Sequence, residues 1–223
     1  MKTLAFDTAT AAASVAVVED GKMLGVMTLN LKKPHSQKIM VVAQKLLEQL
    51  ELSVSDIDLF AAAHGPGSFT GLRVGIAAVK GFADSLKKPA VGVSTLQAMA
   101  YPYLMYKELV CPLIDARRDQ AYYAVYKKGD VTEEIYKADC QNIKNIICQL
   151  AVLNKKVIFT GDCVYKHKDY IISQLGENAM FADELYCVNS AVAVGYIAEK
   201  SYLHKNKKDI TPDYVLKAYT GND

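Results

Sequence analysis

The stretch HGPGSFTGLRVGIAAVKGFADSL, His64 to Leu86, decides how the rest of the chain is read. An apolar run, Leu59-Phe60-Ala61-Ala62-Ala63, leads into it, so the pattern predicts a strand, a glycine-rich turn and a helix. Gly65, Gly67 and Gly71 permit tight backbone angles, and Pro66 stiffens the turn between the first two. From Leu72 the apolar residues recur as Leu72, Ile76, Val79, Ala83 and Leu86, the spacing of one helical face. A second stripe, Gly71, Gly75, Ala78 and Phe82, is nearly all small. A glycine inside a helix costs about 1 kcal/mol relative to alanine, and this helix carries Gly75 and Gly81. Close approach of another backbone would offset that cost, which predicts a helix packed on two sides.

A glycine-rich turn before a helix can cradle phosphate, but the spacing here fits neither common form. A P-loop needs Gly-Lys-Ser/Thr after four residues, and Gly71 is followed by Leu72 and Arg73. The dinucleotide fingerprint needs its third glycine three after the second, and Phe69-Thr70 push it one too far. An anion could still meet N–H groups near Ser68; a tight strand-to-helix turn is the stronger reading.

The chain has 223 residues, 51% of them hydrophobic and 22% charged, enough for one large or two small globular domains. A net charge of +2 gives no strong electrostatic footprint for nucleic acid. Lys32-Lys33, Lys155-Lys156 and Lys205 to Lys208 are short, scattered clusters that read as solvated surface. Five cysteines without a C-x-x-C pair suggest reduced thiols. With no signal-like leader and no run long enough to span a bilayer, a soluble cytoplasmic protein is expected.

Thr3 to Asp7 reads as a strand ending in a carboxylate, Ser14 to Glu19 as a second, and Met23 to Leu31 as a third beyond an Asp20-Gly21 turn. A helix is expected from about Ser36 to Leu50, with Ile39, Ala43, Leu46, Leu47 and Leu50 apolar and Met40, Val41 and Val42 widening that face. After the glycine turn and its helix, Pro89 to Val93 forms a strand, and Ser94-Thr95-Leu96-Gln97 resembles a capping box opening a helix that stops near Pro102. The second half repeats the plan. Val110 to Asp115 is a strand ending in a carboxylate, Gln120 to Tyr126 follows, and Gly129-Asp130 turns into Val131 to Lys137. The spacing from Asp7 to Gly21 equals that from Asp115 to Gly129. A helix over about 142–153, a strand at 157–160 and a helix over about 168–175 complete the copy, and a last helix over about 191–204 starts behind Ser190. Each copy builds an α/β unit with a mixed sheet flanked by helices. Boundaries of 1–103 and 104–223 follow, the last helix being able to pack back on the first lobe.

Two such units side by side would leave a cleft with Asp7 and Asp115 at corresponding strand ends. Paired carboxylates could hold a Mg²⁺-nucleotide or act as acid and base. The adjoining turns carry no glycine; Thr8 and Thr10 could donate hydroxyls, and Arg117 and Arg118 could attract an anion. Such a cleft looks poorly equipped for nucleotide turnover, and Asp7 could equally close a turn by accepting backbone N–H bonds. The four histidines lie far apart without helical i+4 partners, and no Gly-x-Ser-x-Gly elbow is present.

Asp7-Thr8-Ala9-Thr10, Pro34-His35-Ser36, Gly65-Pro66-Gly67-Ser68-Phe69-Thr70-Gly71-Leu72-Arg73 and Ile114-Asp115-Ala116-Arg117-Arg118 fall in the order that resembles the TsaB (YeaZ) family. The resemblance spans nearly the whole chain. It implies two duplicated lobes of the actin, sugar kinase and Hsp70 (ribonuclease H-like) superfamily, and a role in making threonylcarbamoyl-adenosine in the tRNA anticodon loop. It implies a noncatalytic scaffold without cofactor or metal, which binds the catalytic paralogue TsaD, works with the ATPase TsaE, meets tRNA indirectly, and forms a homodimer when alone. It further implies a helix-bundle interface on the first-lobe helices, for which Ile39, Met40, Ala43, Leu47, Leu72, Gly75, Ile76 and Val79 are the candidates. Asp7, Thr8, Thr10, Asp115, Arg117 and Arg118 would be a vestigial nucleotide cleft. The competing expectation is a degenerate ATPase or a peptidase-like enzyme of the same fold.

Overall fold

The computed structural model describes residues 1–30, 38–129, 132–187, 190–204 and 210–211. Pro34-His35-Ser36, Lys32-Lys33, Asp130 and Val131 of the second hairpin, Lys205 to Lys208, and Pro212-Asp213-Tyr214 lie outside the described residues.

Alternation of apolar residues in the first segment produces β1 (Lys2–Asp7), β2 (Ala12–Glu19) and β3 (Lys22–Asn30) as an antiparallel meander. Helix α1 (Ile39–Gln49) follows, then β4 (Leu59–Gly65), α2 (Phe69–Leu86) and β5 (Ala90–Ser94), with β4 and β5 parallel to β1. The sheet order is β3-β2-β1-β4-β5. Helix α3 (Thr95–Ala100) leads into β6 (Leu109–Asp115), β7 (Gln120–Lys127), β8 (Glu133–Asn142), α4 (Ile143–Leu153), β9 (Val157–Thr160), α5 (Lys168–Leu175) and β10 (Ala179–Phe181). Their sheet runs β10-β9-β6-β7-β8, the same order read from the opposite end. The duplication expected from sequence is therefore realised strand for strand. Two details differ. Strand β8 continues to Asn142 because its pairing with β7 persists as far as Gln120. Strand β10 has three residues, too few for periodicity to reveal.

Helix α6 (Ala191–Leu203) comes last, capped by Ser190, whose hydroxyl accepts from Val192 N at 3.3 Å. The described residues of Met1–Ala98 and Asn189–Pro212 form one compact unit, and those of Met99–Val188 another. In the first unit α6 packs on β1, β2, β4 and β5. Gly195 makes this approach possible: a Cβ there would lie 2.8 Å from Val18 Cγ2. The opposite face carries α2, whose Phe82 ring stacks on Phe60 at 5.5 Å and on Phe6 at 6.3 Å. Alternation along β1 sends Phe6 toward α2 and Thr3 toward α6. Glu199 is the polar exception among the buried residues of α6. Buried to 3% exposure, it accepts from Thr3 Oγ1 at 3.0 Å and from Gly21 N at 2.7 Å. In the second unit Cys111, Leu113, Val125, Ile146, Phe159 and Ile171 are central to the core. No described helix is long and apolar enough to cross a membrane.

Candidate functional site

The glycine turn is a packing device of the first unit. Gly65 and Gly67 take φ of +131° and +155°, values that side chains resist. A Cβ on Gly67 would fall 2.3 Å from the Ala9 carbonyl oxygen, and one on Gly71 only 2.0 Å from the Thr8 oxygen. Ser68 N donates to Ala9 O at 2.7 Å, and Ser68 Oγ caps α2 by accepting from Gly71 N at 3.3 Å. The N–H groups of Ser68 and Gly71 are thus engaged by the chain itself, in keeping with a tight strand-to-helix turn.

Beyond the turn, a Cβ on Gly75 would meet Thr8 Oγ1 at 2.5 Å. The β1–β2 connection of the same chain thus approaches the small stripe, through the Thr8 carbonyl at Gly71 and the Thr8 hydroxyl at Gly75, as expected of a helix packed on a second side.

Most of the candidate interface positions likewise face the chain's own core. Ile39, Ala43, Leu47, Leu72, Gly75, Ile76 and Val79 are buried within the first unit, and Met40 alone of the eight is exposed, at 42%. Helical periodicity marks the face turned toward apolar matter, and here that matter is the chain's own sheet. The outward faces carry Met40 and Val41 on α1, and Phe69, Arg73, Ala77 and Gly81 on α2. The Arg73 guanidinium lies 3.6 Å over the Phe69 ring. A Cβ on Gly81 would meet nothing within 4 Å. Met40 and Val41 are the residues that widen the apolar face of α1 in the sequence, whereas Phe69, Ala77 and Gly81 fall outside the periodic stripe of α2 and carry no such signal.

The two strand-end carboxylates play matching local roles in their respective units. Asp7 Oδ1 accepts from Ala9 N at 3.1 Å, and Asp115 Oδ1 accepts from Arg117 N at 3.2 Å. Asp7 is fully buried while Asp115 is exposed. Thr8 is buried and donates to Gly71 O at 2.8 Å; Thr10 accepts from Ala12 N at 3.3 Å. The hydroxyls offered for phosphate are thus engaged within the fold. In the second unit, Arg117, Arg118 and Asp119 all adopt left-handed φ, at 67°, 50° and 57°, where β6 turns into β7. Asp162 Oδ1 accepts from Asp115 N at 2.9 Å, and burial followed by the Asp115 charge raises the Asp162 pKa. Burial, reinforced by Lys166, lowers that of His167. Among the described residues no group of three or more His, Cys, Asp or Glu is placed to hold a metal ion. His64 packs against Gly92 in the first unit's core, with a Cβ on that glycine reaching 2.8 Å from His64 Cδ2.

Two mixed sheets of matching strand order, each flanked by helices, have the fold of the actin, sugar kinase and Hsp70 (ribonuclease H-like) class. Component A of (R)-2-hydroxyglutaryl-CoA dehydratase from Acidaminococcus fermentans shares the plan at TM-score 0.50 and 10% identity, over 91% of this chain and 99% of that one. Within the class, a family model described as "TsaD: tRNA N6-adenosine threonylcarbamoyltransferase" matches residues 13–222. The chain is 30% identical to the tRNA threonylcarbamoyladenosine biosynthesis protein TsaB of Bacillus subtilis, over 98% of this chain and 95% of that protein. It is 35% identical to the TsaB protein of Haemophilus influenzae, over 97% and 94%. A Pseudomonas aeruginosa structure described as similar to the peptidase YeaZ superposes at TM-score 0.81 with 22% identity, covering 96% and 99%. The chain belongs to the TsaB (YeaZ) family.

Proposed function

We propose that the chain acts in tRNA threonylcarbamoyladenosine biosynthesis as a noncatalytic subunit that binds a TsaD-type transferase through the outward faces of α1 and α2. The observation that carries the reading is the composition of those faces. Met40 and Val41 stand exposed on α1, and Phe69 with the small Ala77 and Gly81 on α2, a combination that lets a second pair of helices approach closely. Proteins named as the transferase are related to this chain; that of Kosmotoga olearia is 30% identical over 66% of this chain and 46% of its own length. A partner of like fold would offer matching helices. In this reading the chain holds no cofactor of its own, the strand-end residues are relics of a nucleotide site, and two copies associate when no transferase is present. A TsaE-type ATPase joins the pair, and tRNA is met through the transferase.

Reconstitution tests this. The chain is mixed with the transferase and the remaining pathway components, and modified tRNA is quantified with and without it. Modification should depend on the chain. Met40→Asp and Gly81→Arg should lower both co-purification of the transferase and product formation by roughly tenfold or more, as for anchors at an interface centre, with neither variant losing its cooperative thermal melt. ATP hydrolysis or peptide cleavage by the isolated chain at a rate accounting for its role would overturn the proposal.

A further inference from the structure

Strand β3 ends its sheet and is bonded to β2 alone among the described strands. Native edges of this length are usually blunted by charge, proline or cover. This one runs Met23-Leu24-Gly25-Val26-Met27-Thr28-Leu29-Asn30 with Lys22 as its one charge. Met23, Leu24 and Val26 are exposed at 55%, 39% and 39%. On the other face of the strand, a groove of about 510 Å³ opens between β3 and α1, floored by Met27, Leu29, Val41 and Val42 and rimmed by Lys38 and Lys45. Both lysines are exposed, and neither has an ion-pair partner among the described residues.

We propose that this edge and groove accept an extended segment of another protein as an added strand, its alternate apolar side chains entering the groove and a carboxylate meeting Lys38 or Lys45. The two features supply the two requirements of strand addition: unpaired main-chain groups for affinity, and a pocket for every second side chain. The charge selects the occupant. Among the described residues no carboxylate lines the groove, and its lysines sit seven residues apart, at the N-cap of α1 and within it, so an acidic segment is favoured. A second copy of β3 fits less well. Two-fold pairing would set the α1 helices of both copies on one face of the joined sheet, with four lysines along the seam and only Lys22 contributed by each incoming strand. The groove shares Val41 with the docking face proposed for α1, while the edge of β3 is separate from α2; the binding assay uses the isolated chain, so its outcome is read independently of transferase binding.

Fluorescence anisotropy with a labelled acetyl-Glu-Val-Thr-Val-Thr-Val-Thr-Val-Glu-amide probe tests it on the full chain. Saturable binding is expected. It should weaken about tenfold in the K38E/K45E double variant, whose melting should match the parent. It should also disappear for a probe with proline at its centre and weaken when lysine replaces glutamate. Absence of saturation at millimolar probe overturns the proposal, as does equal binding by the double variant or by the proline probe. Decanoate that displaces the probe and binds more tightly would assign the groove to a small amphiphile instead. A dimer in analytical ultracentrifugation that Val26→Lys dissociates would assign the edge to a second copy.

Discussion

Thr8 Oγ1 donates to the Gly71 carbonyl at 2.8 Å, while the Thr8 carbonyl sits where a Gly71 Cβ would be. One residue of the β1–β2 connection thereby holds the first turn of α2 by a hydrogen bond and by contact. The glycines of α2 consequently divide into two kinds with opposite expected behaviour.

Gly71→Ala should destabilise the chain by about 1–3 kcal/mol, because the new methyl must displace backbone rather than the tip of a side chain. Gly75→Leu should cost at least as much, since it drives into Thr8 Oγ1. Gly81→Ala should stabilise by roughly 0.5–1 kcal/mol, the ordinary helix-propensity gain at an open position. Urea unfolding of the three variants would order them; an equal loss in all three would refute the division.

Glu199 closes the first unit from the α6 side through Thr3 and Gly21. Its replacement by alanine leaves a part-buried amide and a buried hydroxyl without their acceptor. A loss of about 2–4 kcal/mol is expected from orphaning donors that had bonded to a carboxylate, read as an urea midpoint shift at constant m-value. Thr3→Val in the Glu199→Ala background should recover part of that loss.

Asp56 provides a clean pH signature. Ser53 Oγ and Ser53 N both donate to Asp56 Oδ2, at 2.6 and 2.8 Å, and hold its pKa below the usual value of 3.8. A carboxylate depressed in the folded state contributes stability that is present above the unfolded pKa and lost as pH falls through the folded one. Ser53→Ala should raise the Asp56 pKa toward the ordinary value and trim stability at neutral pH, with the difference fading in acid. Carboxyl NMR titration of both proteins checks this.

The thiols should react in order of access. Cys148 is exposed on α4, whereas Cys111, Cys163 and Cys187 are buried. Burial pushes the Cys163 thiol up to about 12 and raises that of Cys111 as well, so neither offers thiolate near neutrality. A thiol-specific reagent should label Cys148 first in native protein, and Cys148→Ser should remove that fast phase. Early labelling of Cys163 would contradict the packing of the second unit.

Much of the fold could be read along the chain. The carboxylate-ended strands at Asp7 and Asp115, the equal spacing to Gly21 and Gly129, and the strand-turn-helix at Gly65 to Gly71 are local patterns, and each appears as its sequence dictates. Strand β10 escaped because three residues carry no period, and the αL turn at Arg117 to Asp119 because arginine gives no signal for it. The candidate site fared differently. Ile39, Leu72, Ile76 and Val79 have the periodicity of any buried helical face, and nothing in one dimension says whose surface buries them.

Sequence alone determined that the chain is a duplicated α/β protein with a turn needing glycine, because backbone angles and side-chain periods are properties of neighbouring residues. Tertiary structure decided which partner each glycine and each apolar face receives. Thr8 reaches Gly75 from the β1–β2 connection, and Glu199 reaches Thr3 from the last helix. Those contacts join residues far apart in the chain, and only the packed sheet and helices bring them within van der Waals or hydrogen-bonding distance.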